Sequence, residues 1–225
     1  SQASQLAKIA IGNPFAFPEA WHSVAYFSSW FIFIPAVVVI MFITNEYTFR
    51  THRQNIIDGW SRNQFVTSKL VDVLIISVMV TILYTLVCIV SGFSNQSDGT
   101  KDIWGQSYYI GLFALQTFSQ LSIAFMIGFL IRKAFLALGI FLFYYIIFEP
   151  IVVGLLKVKV KDIGRFMPLE ISDRMIPIPA FLGKIDQEAY DKSLTAIQLH
   201  VFLTLIITVI IWFICYRVNN KRDLK

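Results

Sequence analysis

The chain has 225 residues, of which 56% are hydrophobic and only 15% are charged, with a formal net charge of +5. Soluble domains average about 25% charged residues, so this composition excludes a chain built of soluble domains and indicates an integral membrane protein. In such a protein Lys and Arg report orientation, and we expect no nucleic acid among its partners.

Long apolar runs predict the fold class. Five runs approach or exceed the roughly 20 residues that a helix needs to cross a bilayer, and they are continuous rather than alternating, which favours helices over a barrel. We therefore predict an all-α fold, a polytopic transmembrane helical bundle that forms a single domain over residues 1–225. The predicted spans cover residues 25–43, 70–90, 109–131, 134–152 and 197–216.

Basic residues predict the side on which each connection lies. Lys and Arg are concentrated in the segment 44–69, in the Arg132-Lys133 turn and in the tail after residue 216. Alternating spans place these three stretches on the same side of the membrane, and the positive-inside rule makes that side cytoplasmic. The C-terminus is then cytoplasmic, and the loop 153–195 is external.

The segment 44–69 separates two spans and predicts a short cytoplasmic helix. Its larger apolar residues recur at offsets of seven, eight and eleven and fall on one stripe of an amphipathic helix within residues 46–60. The stripe consists of Phe49, Ile56, Ile57 and Trp60. Such a helix either anchors the loop at the membrane surface or docks a cytoplasmic protein.

The end of this segment predicts a break followed by a new helix. Gly59 can end the amphipathic helix, because glycine adopts the left-handed conformation without steric cost. Ser61 and Gln64 have the spacing of a capping box, which predicts the start of the next span. Inside that span, Asp72 has a partner in Lys69, three residues earlier.

Polar side chains within the spans have two interpretations each. Gln116, Ser119 and Gln120 share one face of the third span and either bond to neighbouring helices or line a translocation path. Glu149 precedes Pro150, which we expect to break the fourth span near its outer end. The acid is either functional, at the entry of a re-entrant segment, or simply solvated at the interface.

No pattern typical of an enzyme is present. The sequence lacks G-x-S-x-G and H-E-x-x-H motifs, and its three histidines are far apart, so we predict no catalytic residue and no metal site. It also lacks G-x-x-x-x-G-K-[ST], so ATP hydrolysis would have to come from another chain. An intramembrane protease or lipid transferase is the least favoured alternative.

The polar segment also carries a family resemblance. The motif positions are Glu46, Tyr47, Thr51, Arg53, Ile57, Gly59, Ser61, Arg62 and Lys69. Set between two spans, they resemble the permease subunits of ABC-2 type exporters, in which a Glu, a Gly before a Ser-Arg pair and a Lys recur in the same loop. The layout of a long first loop, a very short second one and a large external segment is similar over essentially the whole chain.

The resemblance implies a function and its partners. The amphipathic helix would be a coupling helix that docks on a separate ABC ATP-binding subunit, which would hold ATP and Mg²⁺, with no cofactor in this chain. The ATPase-coupling residues would be Glu46, Arg50, Arg53, Ile57, Gly59, Trp60, Ser61 and Arg62. The translocation path would involve Gln116, Ser119, Gln120 and Glu149.

Three further expectations follow from the same resemblance. The permease would pair with a second copy or a related permease, surrounded by lipid, in the inner membrane of a bacterial cell. A further helix before Ser1 would give six spans in the full protein, with both ends cytoplasmic. As an alternative function, the same fold could serve as a membrane scaffold for mechanical coupling in a motility or secretion assembly.

Overall fold

The computed structural model describes residues 13–49, 51, 57, 59–96, 102–159, 163–183 and 186–221. Over these residues the chain is helical and contains no strand, which confirms the predicted all-α class. Four helices are long and apolar enough to cross a membrane, and the number rises to 5 if a bent helix pair counts as one span. The chain is therefore a multi-pass membrane protein.

The helices vary widely in length and fall into long spans and short connecting helices. In chain order they are α1 (Ala20–Ser29), α2 (Phe33–Thr48), α3 (Arg62–Ser94), α4 (Tyr109–Ile131), α5 (Ala134–Phe143), α6 (Glu149–Lys159), α7 (Pro168–Asp173), α8 (Ala180–Gly183) and α9 (Gln187–Lys221). A π-helical turn, Tyr144–Phe148, joins α5 to α6, and a 3-10 turn, Ile163–Phe166, precedes α7.

The first predicted span is a bent pair of helices rather than one straight helix. Helices α1 and α2 meet at 48°. Pro35 lies in the first turn of α2 and has no N–H to donate to the carbonyl of Phe31, which accepts instead from Ile34 N at 3.0 Å. The prediction of one continuous run over residues 25–43 therefore missed a bend that the proline imposes.

The fourth span continues past Pro150, and the break that we expected there is limited to a local change of helix type. Residues Ala134–Val158 form one helical unit that is long and apolar enough to cross a membrane. The π-helical turn immediately before Glu149 has a wider backbone ring than an α-helix, and such a turn accommodates the proline without ending the helix. The proline is thus absorbed by a local change of helix type.

Helix α4 is the centre of the bundle. Helices α2, α3 and α9 all pack against it, and it is the most buried of the apolar spans. The crossing with α2 is close because Gly128 has no side chain: a Cβ there would lie 2.7 Å from Ile43 Cγ2. Any side chain on α4 that faces inward is consequently held by neighbours on several sides.

The helix ends that carry the basic residues lie together at one end of the bundle, which we term the basic end. Arg62 Nη1 donates to Asn220 O at 3.2 Å, and Asn219 Nδ2 donates to Arg62 O at 2.7 Å, so the start of α3 is tied to the end of α9. The Arg132 guanidinium, in the turn after α4, lies 4.7 Å from the ring centroid of Tyr47, near the end of α2.

Candidate functional site

The predicted coupling segment begins inside a span. Helix α2 continues to Thr48, so Glu46 belongs to that span and not to a separate amphipathic helix. Arg50 and Arg53 lie outside the described residues, as do positions 52–56 and 58, so the amphipathic helix stays a prediction. The described members of its apolar stripe, Ile57 among them, are exposed in the isolated chain.

The end of the segment has the local structure that the sequence predicted. Gly59 has φ +101, in the left-handed region that favours glycine. Ser61 Oγ accepts a hydrogen bond from Gln64 N at 3.2 Å, and Gln64 Oε1 accepts one from Ser61 N at 2.7 Å. This reciprocal capping box fixes the start of α3 at Arg62, directly after Trp60 and Ser61.

A buried ion-pair cluster joins the two helices on either side of the coupling segment. Lys69, on α3, donates to Glu46 Oε1, on α2, and its Nζ also lies 3.2 Å from Asp72 Oδ2. The side chains of Lys69 and Glu46 are only 8% and 15% exposed. Lys69 Nζ also lies 4.5 Å from the ring centroid of Phe42. We call Glu46, Lys69 and Asp72 the basal ion-pair cluster.

This cluster holds both ends of the coupling segment at a fixed separation. A buried charge is costly unless it is paired, so neither Glu46 nor Lys69 can move away alone. The partnership of Lys69 with Asp72 was predicted from their spacing, but the partnership with Glu46 was not, because the two residues are 23 positions apart. The cluster therefore ties α2 to α3 at the two ends of this segment.

The short helix α7 folds back from the loop into the bundle. It packs against α4, α6 and α9, and Leu169, Ile171 and Ser172 are buried. No side chain at its own N-cap closes the helix. Instead Glu149 Oε1, from α6, accepts from both Leu169 N and Glu170 N at 2.7 Å.

Glu149 is thus a capping carboxylate supplied by another helix. Backbone N–H groups at a helix N-terminus have no intrahelical acceptor, and a negative charge there is favoured. The structure places the acid at the start of α7, where it positions that helix. Its predicted place in a translocation path stays a prediction.

The C-terminal end of α7 carries an acid that the sequence did not single out. Asp173 Oδ1 accepts from Gln116 Nε2 at 2.8 Å and from Gln120 Nε2 at 2.6 Å. Gln120 Nε2 also lies 3.0 Å from Ser172 Oγ, and the hydroxyl of Tyr145 donates to Gln120 Oε1 at 3.3 Å. The third predicted path residue, Ser119, is buried on the same face of α4, and within the described part of the chain its Oγ has no hydrogen-bond partner.

Asp173 lies deep along the bundle yet keeps an accessible surface. Gln116 and Gln120 are seven and eleven residues into α4, which corresponds to about 10 to 17 Å from Tyr109 at a rise of about 1.5 Å per residue. Both glutamines are 0% exposed, whereas Asp173 is exposed. Asp173 therefore lines a recess in the bundle rather than its packed core.

The surroundings of this acid are crowded and acidic. The protein atoms around the recess desolvate the Asp173 carboxyl and raise its pKa to about 7. The amides of Gln116 and Gln120 oppose that shift of the pKa, and the carboxyls of Glu170 and Glu149 add to it. We call Asp173, its partners Gln116 and Gln120, and the Gln120 partners Ser172 and Tyr145 the Asp173 recess.

Only part of this recess could be predicted from the sequence. The shared face of Gln116 and Gln120 indicated that both glutamines have polar partners, and the structure shows hydrogen bonds from them to α7. Pro168 is a typical first residue of a helix, so the start of α7 could have been found. Nothing in the sequence indicated that α7 folds back onto α4.

These observations define a multi-pass helical membrane protein with a tied basic end and a polar recess within the bundle. The chain belongs to a family described as "Protein of unknown function (DUF2705)", whose model matches residues 11–225. No curated protein matches the chain, and no solved structure does.

Proposed function

We propose that this chain is the permease subunit of an ABC-2 type exporter, driven by a separate ATP-binding subunit that docks on the segment between α2 and α3. The observation that carries the proposal is the basal ion-pair cluster. It links Glu46 and Lys69, two positions of the ABC-2-like motif, across the segment that would receive the ATPase.

The geometry at the basic end supports a mechanical role for this segment. The capping box makes the start of α3 a firm joint, and Gly59 supplies the sharp reversal just before it. Arg62 then ties α3 to the end of α9. A push on the segment by a closing ATPase pair would reach α2, α3 and α9 as one unit.

The remaining parts of the proposal follow the same resemblance. ATP and Mg²⁺ would be held by the partner chain, and this chain would pair with a second permease copy or a related permease in a bacterial inner membrane. The helix within residues 46–60 would be the docking element, with Arg50 and Arg53 as its polar contacts. Helix α7, the part of the loop that folds back between the spans, would be the re-entrant segment next to the path.

The test is co-purification with the ATP-binding protein encoded by the neighbouring reading frame. We expect Arg53→Glu to reduce the co-purified ATPase by about tenfold or more, because a cost of about 1.4 kcal/mol in docking has that effect. The matched control is Arg217→Glu, which makes the same charge change at an exposed position of α9 on the basic end. It should leave the complex intact.

A second measurement separates export from a purely mechanical role. Liposomes that contain the purified permease and ATPase should release a fluorescent amphipathic cargo only when ATP is supplied.

The two measurements have separate contradicting outcomes. Equal co-purification of the ATPase with both arginine variants would contradict the docking proposal. ATPase stimulation without any cargo movement would favour the membrane scaffold instead.

A further inference from the structure

The Asp173 recess has a charge imbalance that the described residues do not correct. The ion pairs among the described residues do not include Asp173. The nearest basic residue in sequence, Arg174, pairs with Glu170 at 2.6 Å. Among the described residues, the Asp173 carboxylate is therefore held by two neutral amides and pairs with no cation, and an unpaired charge in such surroundings favours a ligand of opposite sign.

The acceptors in the recess are fixed and partly unused. Both glutamine amides bind the same atom, Asp173 Oδ1, so the carboxylate cannot rotate away from the recess. Gln116 Oε1, on the same amide group as the nitrogen that contacts Asp173, is fully buried and has no hydrogen-bond partner among the described residues. This buried acceptor lies on the amide that holds the carboxylate, so it is a second polar group here whose hydrogen bonding the described residues leave incomplete.

Aromatic residues lie beside these acceptors. Tyr145 is half-buried, and its hydroxyl donates to Gln120 Oε1 at 3.3 Å. Phe33 packs on Tyr145 with ring centroids 6.2 Å apart. Ring faces attract organic cations, and a carboxylate beside aromatic rings combines the two interactions that recognise an ammonium group.

We propose that the Asp173 recess binds the positively charged group of an organic ammonium compound. This inference rests on the proposed function, because it names the cargo as an amphipathic cation that the permease would export. A hard metal ion fits less well, because it requires six or more oxygen ligands. Among the described residues, no group of three or more His, Cys, Asp or Glu side chains is placed to hold a metal ion.

The test measures binding of radiolabelled tetraethylammonium to the full chain in phosphatidylcholine nanodiscs, without any ATPase. Asp173→Asn keeps an oxygen for the two glutamine amides and removes only the charge. We expect this variant to bind at least tenfold more weakly. Tyr145→Leu should weaken binding severalfold, through loss of the ring beside Gln120. The matched control is Glu188→Gln, an equal charge change at an exposed position of α9, which should bind as the unaltered chain does.

Each outcome of the binding measurement decides the inference. Equal binding by the unaltered chain and Asp173→Asn would overturn it, as would displacement of the probe by potassium at equal concentration, which would indicate an inorganic cation site. If binding fails while Arg53→Glu still releases the ATPase, only the cargo assignment is wrong. If binding holds while the ATPase never associates, the recess stands and the exporter proposal is wrong.

Discussion

The basal ion-pair cluster and the Asp173 recess are both polar groups inside an apolar bundle, but their charges are arranged differently. In the basal ion-pair cluster, Lys69 lies between Glu46 and Asp72, so an acid from each of two helices shares one base. In the recess, the described residues bring the Asp173 carboxylate only the amide groups of Gln116 and Gln120. The first arrangement is closed, and the second is open to a further partner.

The difference teaches what each region can do. A paired and buried charge resists separation, so the basal ion-pair cluster is suited to carrying force between helices. An acid held by neutral donors has no positive charge beside it to offset its own, so the recess is suited to attracting a cation. Buried polarity in a membrane protein therefore indicates either mechanical linkage or binding, and the charge balance of each cluster distinguishes the two.

The largest expected effect is the loss of the shared base. Lys69→Met leaves Glu46 and Asp72 without their common partner, and removal of one member of a buried pair costs about 3 to 5 kcal/mol. We expect that loss in the free energy of unfolding, measured by denaturant titration in mixed micelles, together with loss of ATPase stimulation.

Two companion variants separate charge from packing in the basal ion-pair cluster. Glu46→Gln should cost less than Lys69→Met, because Asp72 stays 3.2 Å from Lys69 Nζ. The double variant Glu46→Gln/Lys69→Met removes the main charge conflict and should recover most of the stability. A double variant no more stable than Lys69→Met alone would show that packing of the lysine side chain, and not its charge, stabilises the basal ion-pair cluster. The contrast in charge balance between this cluster and the recess would then not hold.

A smaller effect is expected at the cap of α7. Glu149→Ala removes the acceptor of two backbone N–H groups, and charged hydrogen bonds contribute about 1.5 to 3 kcal/mol each. We expect a loss of about 2 to 3 kcal/mol in the free energy of unfolding and faster hydrogen exchange at Leu169 and Glu170. Tetraethylammonium binding should fall as well, because α7 carries Asp173.

The conservative variant decides whether position or charge matters at this cap. Glu149→Gln keeps an oxygen in place and should retain about half of the stability and most of the probe binding. The exposed Glu188→Ala should change neither quantity. Unchanged hydrogen exchange in Glu149→Ala would mean that α7 is held by apolar packing alone, and the recess would then not depend on its cap.

The fold was largely predictable, because a chain segment in lipid must satisfy its backbone hydrogen bonds internally and therefore forms a helix over each long apolar run. The third predicted span, 109–131, coincides with α4, where a continuous apolar run meets a sharp Arg132 turn. The misses occurred at prolines. Pro35 bends α1 against α2, whereas Pro150 is absorbed by a π-helical turn, and a sequence does not reveal which of these two responses a proline will cause.

The sites were less predictable, for a different reason. The capping box at Ser61 is local, and its spacing was enough to find it. The pairing of Glu46 with Lys69 and of Gln116 with Asp173 joins residues 23 and 57 positions apart. Such contacts depend on how the helices pack, and a charge or amide in one helix carries no information about which distant residue it will meet.

The smallest effect tests whether the basic end works as a unit that is independent of the recess. Ser61→Ala removes one half of the capping box, and loss of an N-cap costs about 1 kcal/mol. Ser61→Asp keeps a capping oxygen and should behave as the unaltered chain does. Because α3 starts at this joint, the alanine variant should lower ATPase stimulation while tetraethylammonium binding at Asp173 stays unchanged. A joint loss of both activities would show that the closed cluster and the open recess are one coupled structure, since α3 packs on both α4 and α9, and both of these helices contact α7.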